Sequence, residues 1–268
     1  MSLDLDTRQR AMLAEMGVRV WWPPSDTPAP ALAATPAPVH KAVADQPAAQ
    51  PSIALTPRVA GVDAMDWPAL ASAVASCQAC PMCQGRRAPV LAAPAQARQA
   101  DWFVLGEPPD EAQERVGEPF VGDAGLLLDN MLKAVGVRRQ GGDAAVPAQS
   151  SAYLSLVLKC RPALPTAPDA QALQACAQFL RQEIALIQPK VIVAMGRLAM
   201  QLLLSEDHPQ GLKLPLGKLR GRVWHFQGVP VVVTYPPAYL LRNGQDKARA
   251  WEDLCLAADV AEGHQVTR

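Results

Sequence analysis

The pattern of apolar and polar positions predicts alternating strands and helices over residues 62–262. Continuous apolar runs, typical of parallel strands that are buried on both faces, occur at residues 102–105, 153–159, 190–194 and 229–234. Amphipathic stretches between and after these runs predict helices at residues 123–135, 168–187, 197–204 and 246–262. The alternation predicts an α/β domain of three layers, α/β/α, with a central and mostly parallel sheet.

Two local signals add detail to this domain. Asp66 is placed to cap a helix that carries Pro68 in its first turn, so the domain is expected to begin near Val62. Residues 222–226 and 229–234 are both strand-like, and only a Gln-Gly pair separates them. A two-residue connection of this kind predicts a β-hairpin, which we expect at the edge of the sheet.

The N-terminal part of the chain differs from the rest. Residues 1–22 predict a short amphipathic helix followed by two adjacent tryptophans; their apolar positions are Leu13, Met16, Val18, Trp21 and Trp22. Residues 23–61 are rich in alanine and proline and hold few large apolar side chains, which predicts a disordered linker. The chain is therefore divided into a docking segment (1–22), a linker (23–61) and a domain (62–262). The alternative is that the N-terminal helix packs on the chain's own domain.

Composition limits the possible partners. The 268 residues carry a formal net charge of zero, so any contact with DNA is expected to come from a local basic patch. The candidates for that patch are Arg86, Arg87, Lys159, Arg161, Lys213, Lys218, Arg220, Arg222 and Arg242. The sequence has no signal-like segment and no apolar run that is long enough for a membrane span, which predicts a cytoplasmic protein with no membrane partner.

The chain contains six cysteines, and four of them have a suggestive distribution. Cys77 and Cys80 form a CxxC pair, while Cys160 and Cys176 lie sixteen positions apart, one in a loop after a strand and the other in a helix. In a reducing compartment clustered thiols bind metal more often than they form disulfides. Cys176 also falls on the apolar face of its helix, so a simple packing role is the alternative.

The loop after the first strand contains a second motif, Gly106-Glu107-Pro108-Pro109-Asp110, followed by the sequence Gly-Glu-Pro-Phe-Val-Gly-Asp-Ala-Gly over residues 117–125. It resembles the first motif of the family 4 uracil-DNA glycosylases, the iron-sulfur branch of that superfamily. The four cysteines match the same family, because Cys160 stands in a Lys-Cys-Arg-Pro motif and Arg86 follows the CxxC pair. The resemblance implies a glycosylase-like fold and a [4Fe-4S] cluster held by Cys77, Cys80, Cys160 and Cys176, with zinc as the rival metal.

The resemblance also implies roles for single residues in a pocket for a flipped base. Phe120 is expected to stack on that base, with Gly106 and Gly122 beside it. The family's asparagine and histidine, which contact the uracil, correspond here to Leu156 and Pro236, neither of which has a side-chain donor. Together with Glu107 and with Asp110 in place of a glycine, these positions predict a degenerate site without an intact catalytic residue.

Two further resemblances complete the hypothesis. Leu240, Leu241 and Arg242 match a Tyr-Leu-Leu-Arg run in the same family and are candidates for DNA contact. Leu13 to Trp21 resembles the N-terminal segment of the psi subunit of the bacterial DNA polymerase III clamp loader, which implies the clamp-loader ATPase subunits as partners and the chi subunit as a further candidate. We therefore expect a non-catalytic, psi-like replication protein. The alternative is a uracil-DNA glycosylase of DNA repair with an atypical active site.

Overall fold

The structure is a computed structural model of the chain and describes residues 59–92, 99–140, 150–162, 168, 170–207 and 214–264. The chain divides into two units, Met1–Ser52 and Ile53–Arg268, and every described residue belongs to the second unit. The predicted docking segment lies outside the described residues, as does the predicted linker up to residue 58. The boundaries of these two segments therefore stay predictions.

One six-stranded sheet lies at the centre of the described residues, in the order β2-β3-β1-β4-β6-β5. The strands are β1 (Trp102–Gly106), β2 (Val137–Arg139), β3 (Ser150–Leu156), β4 (Val191–Met195), β5 (Val223–Phe226) and β6 (Val229–Thr234). Neighbouring strands run parallel except for β5 and β6, which form an antiparallel pair at one edge. The predicted mostly parallel sheet is confirmed.

Eight α-helices accompany the sheet within the described residues: α1 (Trp67–Ser76), α2 (Glu111–Val116), α3 (Gly122–Ala134), α4 (Ala170–Ile187), α5 (Arg197–Asp207), α6 (Leu216–Leu219), α7 (Pro237–Arg242) and α8 (Lys247–Ala261). Short 3-10 turns occur at Val62–Ala64, Pro81–Cys83 and Gly244–Asp246. Asp66 caps α1 as predicted, since its carboxylate accepts a hydrogen bond from the amide of Ala69 at 3.0 Å. In the part of the chain that the structure describes, no helix combines the length and apolar character of a membrane span.

Alternate residues of the strands enter two hydrophobic cores, one on each face of the sheet. Phe103 and Leu105 of β1 belong to the core that includes residues of α1, α4 and α5. Trp102 and Val104 belong to the other core, which includes residues of α3 and α8. Both faces of the sheet are thus covered, which explains why the parallel strands are continuous apolar runs in the sequence.

The hairpin turn has the backbone that its length requires. Gln227 and Gly228 both have positive φ, 49° and 84°. A two-residue turn with positive φ at both positions has a twist that matches the twist of the flanking strands. The predicted hairpin between β5 and β6 is therefore confirmed, at the edge of the sheet.

The third strand begins and ends earlier than its apolar run predicts. β3 spans Ser150–Leu156, whereas the predicted strand covered residues 153–159. Val157 and Leu158 are buried although they lie beyond the strand, and the amide of Val157 donates to the carbonyl of Gly106 at 3.0 Å. These residues are apolar because they are buried, and their apolar character alone led to the wrong prediction that they belong to the strand. The short elements β2, α2, α6 and α7 carried no periodic signal and were not predicted.

A fully buried polar network lies behind the end of β3. The carboxylate of Glu183, on α4, accepts hydrogen bonds from the hydroxyls of Tyr153 (2.9 Å) and Ser155 (2.8 Å) and forms a 2.6 Å ion pair with Lys159. The Lys159 ammonium also donates to the Ser155 hydroxyl at 2.7 Å and to the carbonyl of Leu156 at 3.2 Å. The side chains of Lys159 and Glu183 are 3% and 0% exposed, so each charge depends on the other.

The substitution Glu183→Gln is expected to lower the free energy of unfolding by about 3–5 kcal/mol, because it leaves the Lys159 ammonium buried without a counter-charge. Lys190→Gln is the control: it breaks the Lys190–Asp101 pair, whose side chains are 63% and 32% exposed, and should cost less than about 1 kcal/mol. Urea unfolding at neutral pH measures both values. Equal effects of the two substitutions would contradict the importance of the buried pair.

Candidate functional site

The carboxyl ends of β1 and β3 form the floor of the candidate site. A Cβ atom built on Gly106 would lie 2.5 Å from Cζ of Phe120 and 2.9 Å from Cδ2 of Leu156, so both side chains lie directly against this glycine. Phe120 is 6% exposed and Leu156 2% exposed. Ligands of open α/β sheets bind at such strand ends. The structure thus brings together the predicted pocket residues Gly106 and Phe120, with Leu156 beside them.

Gly122 and Pro236 stand at the starts of two neighbouring helices. Gly122 is the first residue of α3, which packs against α7, and Pro236 precedes α7 as its N-cap residue. The carbonyl of Pro236 accepts hydrogen bonds from the amides of Tyr239 (3.0 Å) and Leu240 (3.1 Å). The proline ring offers no donor, so this position contributes backbone geometry and no acid–base group.

Glu107 joins the end of β1 to α5. Its Oε1 accepts a 2.9 Å hydrogen bond from the amide of Leu198, in the first turn of that helix. Burial raises the pKa of Glu107, although the amides of Leu198, Ala199 and Arg197 act in the opposite direction. Gly196 makes this close approach possible, because a Cβ there would lie 2.0 Å from Oε1. The carboxylate therefore serves as a cap of α5.

Asp110 also caps a helix. Its Oδ1 accepts a 2.9 Å hydrogen bond from the amide of Gln113, and α2 begins at the next residue. We expected a carboxylate close to the ligand in place of the family's glycine. The structure assigns this carboxylate to the helix start, where a side-chain acceptor satisfies an otherwise unpaired amide. The helix itself was missed because six residues are too few for a periodic signal.

Sequence reasoning missed Glu114, which ties three segments together. Its carboxylate accepts a hydrogen bond from the amide of Arg87 at 3.1 Å and forms a 2.8 Å ion pair with Arg161, in the loop after β3. Burial acts to raise the pKa of Glu114, but these partners outweigh it, so the pKa is lowered. Its partners lie 27 and 47 positions away in the sequence, so no local pattern could have identified them.

The four predicted metal ligands come from four segments of the described chain. Cys77 follows α1, Cys80 precedes the 3-10 turn Pro81–Cys83, Cys160 follows β3 and Cys176 lies on α4. Burial raises the pKa of the Cys80 thiol, and the charges of Cys160, Cys77 and Cys83 raise it further. All of these cysteines are free thiols. Cys83, which the resemblance leaves outside the ligand set, is therefore close to it.

The Arg86 guanidinium and the backbone amide of Lys159 donate to two of these sulfurs. Arg86 Nη1 lies 3.1 Å from Cys160 Sγ, and its Nη2 donates to the carbonyl of Ala75 at 2.6 Å. The amide of Lys159 donates to Cys176 Sγ at 3.4 Å. Burial raises the pKa of Cys176 to about 12, against the lowering effect of Lys159. Among the described residues, no three Cys, His, Asp or Glu side chains are grouped so that they could hold one metal ion.

The residues predicted to contact DNA divide into exposed and buried positions. Leu240 is fully buried on α7, whereas Leu241 is 47% exposed and Arg242 is also exposed. Leu240 is thus a packing residue, and its prediction as a DNA contact is corrected. Of the basic candidates, Lys159 is paired with Glu183, Arg161 with Glu114 and Arg220 with Asp253. The exposed members of the patch among the described residues are Arg87, Lys218, Arg222 and Arg242.

Comparison with known proteins identifies the family. The model of the Uracil DNA glycosylase superfamily matches residues 94–255. A type-4 uracil-DNA glycosylase of Thermotoga maritima is 34% identical over 177 residues, which cover 66% of this chain and 83% of that protein. The type-4 uracil-DNA glycosylase of Pyrobaculum aerophilum is 30% identical over 197 residues, 72% of this chain and 93% of the relative. The chain therefore belongs to the uracil-DNA glycosylase superfamily.

These relatives correct the functional prediction. A non-catalytic, psi-like subunit of the clamp loader was expected, but the similar proteins are type-4 uracil-DNA glycosylases, which favours the repair alternative. The psi resemblance rested on about ten residues, and a pattern so short occurs easily by chance. Its residues, Leu13, Met16, Val18, Trp21 and Trp22, lie outside the described residues.

Glu114→Gln is expected to flatten the acid limb of the stability profile. The pKa of Glu114 is lowered in the folded state, so its stabilisation is complete above the unfolded-state pKa of about 4.3 and is lost as the pH falls through the folded-state value. The difference in unfolding free energy between the wild type and the variant should thus be larger at pH 7 than at pH 3.

The control for this substitution is Glu118→Gln, at an exposed position of the same segment. It should change the unfolding free energy by less than about 0.5 kcal/mol. Urea unfolding over a pH series measures both variants. A wild-type-minus-variant difference for Glu114→Gln that does not depend on pH would show that the ion pair with Arg161 does not lower the pKa.

Proposed function

We propose that the protein is a uracil-DNA glycosylase of base-excision repair that uses an atypical active site. The observation that carries this proposal is its similarity to type-4 uracil-DNA glycosylases over most of their length. The reaction would hydrolyse the bond between uracil and deoxyribose: water adds to the sugar carbon, and uracil leaves with the bonding electrons. DNA with an abasic site and free uracil are the products.

Phe120 is the residue that would stack on the flipped uracil. Its ring lies at the carboxyl end of β1 against Gly106, where a glycine is required because any side chain would collide with the ring. Stacking of a base on an aromatic ring contributes about 1–3 kcal/mol. Leu156 would form an apolar wall beside the base, where the family's asparagine would form hydrogen bonds. The pocket would then recognise shape and stacking more than the polar edge of the base.

The first turn of α3 would stabilise the negative charge that develops on the leaving base. This helix of 13 residues begins at Gly122, two residues after Phe120, and no side chain caps its N-terminus. Uncapped amides and the helix dipole stabilise anions at such a position. Asp123, the acidic residue of this turn, is exposed. These backbone amides would compensate in part for the missing side-chain donors at positions 156 and 236.

The thiols of Cys77, Cys80, Cys160 and Cys176 would hold a [4Fe-4S] cluster. Each thiolate of such a cluster binds a different iron, so the four sulfurs need not surround one point, whereas zinc requires them around one ion. The donor set fits the group, because Arg86 and Lys159 donate hydrogen bonds to two of the sulfurs and metal binding would deprotonate the buried thiols. When bound, the cluster would cross-link the CxxC segment, the loop after β3 and α4.

DNA would bind across the mouth of the pocket. Leu241 and Arg242 are exposed on α7, which packs against the helix that follows Phe120. Lys218 and Arg222 are exposed basic residues that can contact phosphates. Because only the exposed basic residues are available, we expect a small number of phosphate contacts and a correspondingly shallow dependence of affinity on salt.

Two substitutions in the pocket test the proposed activity. Phe120→Leu is expected to lower kcat/KM for uracil release by about 5- to 100-fold through the loss of stacking. Leu156→Asn should raise it by about tenfold or more, because one well-placed donor is worth about 10² to 10³ in rate. Abasic sites in single- and double-stranded uracil oligonucleotides are counted after alkaline cleavage.

Phe226→Leu provides the matched control, since it makes the same chemical change at a buried ring of β5, away from the pocket floor. It should leave kcat/KM within about twofold of the wild type while lowering the melting temperature. The proposed function would be overturned if neither the wild-type protein nor the Leu156→Asn variant released uracil from either substrate. Binding of uracil-containing DNA without release of the base would overturn the catalytic step in particular.

The metal content is a separate prediction. Protein purified without oxygen is expected to hold about four iron and four sulfide per chain, because the four thiols match the ligand set that the family resemblance implies for the cluster. Cys160→Ser should lower the iron content and the melting temperature together. Cys255→Ser changes a thiol outside the proposed set and should leave the iron content unchanged. Stoichiometric zinc without iron, in protein from iron-rich medium, would exclude the cluster.

A further inference from the structure

The backbone of Phe120 has an unusual conformation that needs external support. Its φ is 54°, in the left-handed region that residues other than glycine rarely adopt. Such conformations persist where the surrounding structure holds them, and they concentrate at functional sites. The ring attached to this backbone is the one that lies on Gly106. The backbone sets the direction of the Cα–Cβ bond, and the contact with Gly106 limits the ring beyond it. Whatever fixes the backbone of Phe120 therefore helps to fix the ring as well.

One arginine, Arg139 at the end of β2, provides this support. Its Nη2 donates to the carbonyl of Phe120 at 2.9 Å, and its Nη1 donates to the carbonyl of Pro119 at 3.3 Å. Its Nε forms a 2.8 Å ion pair with Asp129 on α3. The planar guanidinium thus uses three donors on three acceptors at once, a geometry that lysine cannot reproduce.

On the side opposite Arg139, the Phe120 carbonyl lies against the backbone of α3. A Cβ atom on Gly125 would lie 2.0 Å from the oxygen of Phe120 and 3.5 Å from Nη2 of Arg139. The carbonyl therefore lies between the first turns of α3 and the guanidinium. Because the amide of Gly125 donates within the helix, to Val121 at 3.4 Å, Arg139 is the donor that satisfies the oxygen of Phe120.

We propose that Arg139, oriented by Asp129, is a positioning residue that holds the ring of Phe120 in the plane needed to stack on a flipped base. Arg139 does not contact the base itself. The inference rests on the proposed function, because it assigns a purpose to the stacking ring. It adds a requirement that the motif alone does not contain: a third element, β2, must be in place before the pocket is complete.

The proposal is tested with Arg139→Lys, which keeps the charge and loses the planar fork, and with Asp129→Asn, which removes only the orienting charge. Arg138→Lys makes the same change as the first variant one residue earlier on β2 and is the matched control. Each protein is labelled with para-fluorophenylalanine, and the four resonances, one for each phenylalanine, are followed by fluorine NMR. The missing resonance in Phe120→Leu identifies the Phe120 signal.

In Arg139→Lys the Phe120 resonance should shift and broaden while the other three stay in place, and kcat/KM for uracil release should fall by about 10- to 100-fold, since small misplacements of a positioned group have effects of this size. Asp129→Asn should give a smaller change of the same kind. An unchanged Phe120 resonance in both variants would overturn the proposal, and so would a shift of all four resonances together with a lower melting temperature.

The fluorine measurement does not depend on activity, so the two hypotheses can fail separately. If the wild-type protein releases no uracil but the Phe120 resonance responds selectively to Arg139→Lys, the proposed function is overturned and the positioning of the ring is supported. If uracil release is normal in Arg139→Lys, the positioning role is overturned and the proposed function stands.

Discussion

The absence of a side chain at Gly106 is the constraint on which the rest of the site depends. Phe120 and Leu156 reach this position from different segments, and both occupy space that a Cβ atom would need. Two parallel strands must end side by side for this to happen, since Gly106 and Leu156 are register partners in the pairing of β1 with β3. The contact of Phe120 and Leu156 at Gly106 is therefore a consequence of the sheet and its crossover connections.

Behind this floor, buried charges fix the same strand end from the other side. Lys159 holds the carbonyl of Leu156 through its ammonium group and the sulfur of Cys176 through its amide, while Glu183 compensates the charge. Glu114 connects Arg161 to the segment that follows the CxxC pair. The short stretch after β3 thus contacts both Leu156, at the floor of the candidate site, and the sulfur of Cys176.

Two positions of the candidate site carry residues other than those that the family resemblance implies. Leucine and proline at positions 156 and 236 have no side-chain donor, so under the proposed function binding would depend on stacking, on apolar contact and on the amides at the start of α3. The carboxylates of the first motif do not replace these donors, since Glu107 and Asp110 both cap helices. The loss of the donors predicted an inactive protein from sequence, whereas the relatives favour an enzyme.

Local sequence determined the elements whose signal is local: the buried strands from their continuous apolar runs, the cap of α1 from Asp66 and the hairpin from its Gln-Gly turn. The candidate site residues Gly106 and Phe120 and the four cysteines were identified by motif resemblance.

Only the tertiary structure revealed the partners of Glu114, Glu183 and Arg139, because each partner lies on another element and no spacing along the chain encodes the pair. It also showed that Leu240 is buried while Leu241 is exposed, which depends on the face that α7 turns towards α3. The sequence determines which side chains are present, but the packing of distant segments determines which of them are in contact.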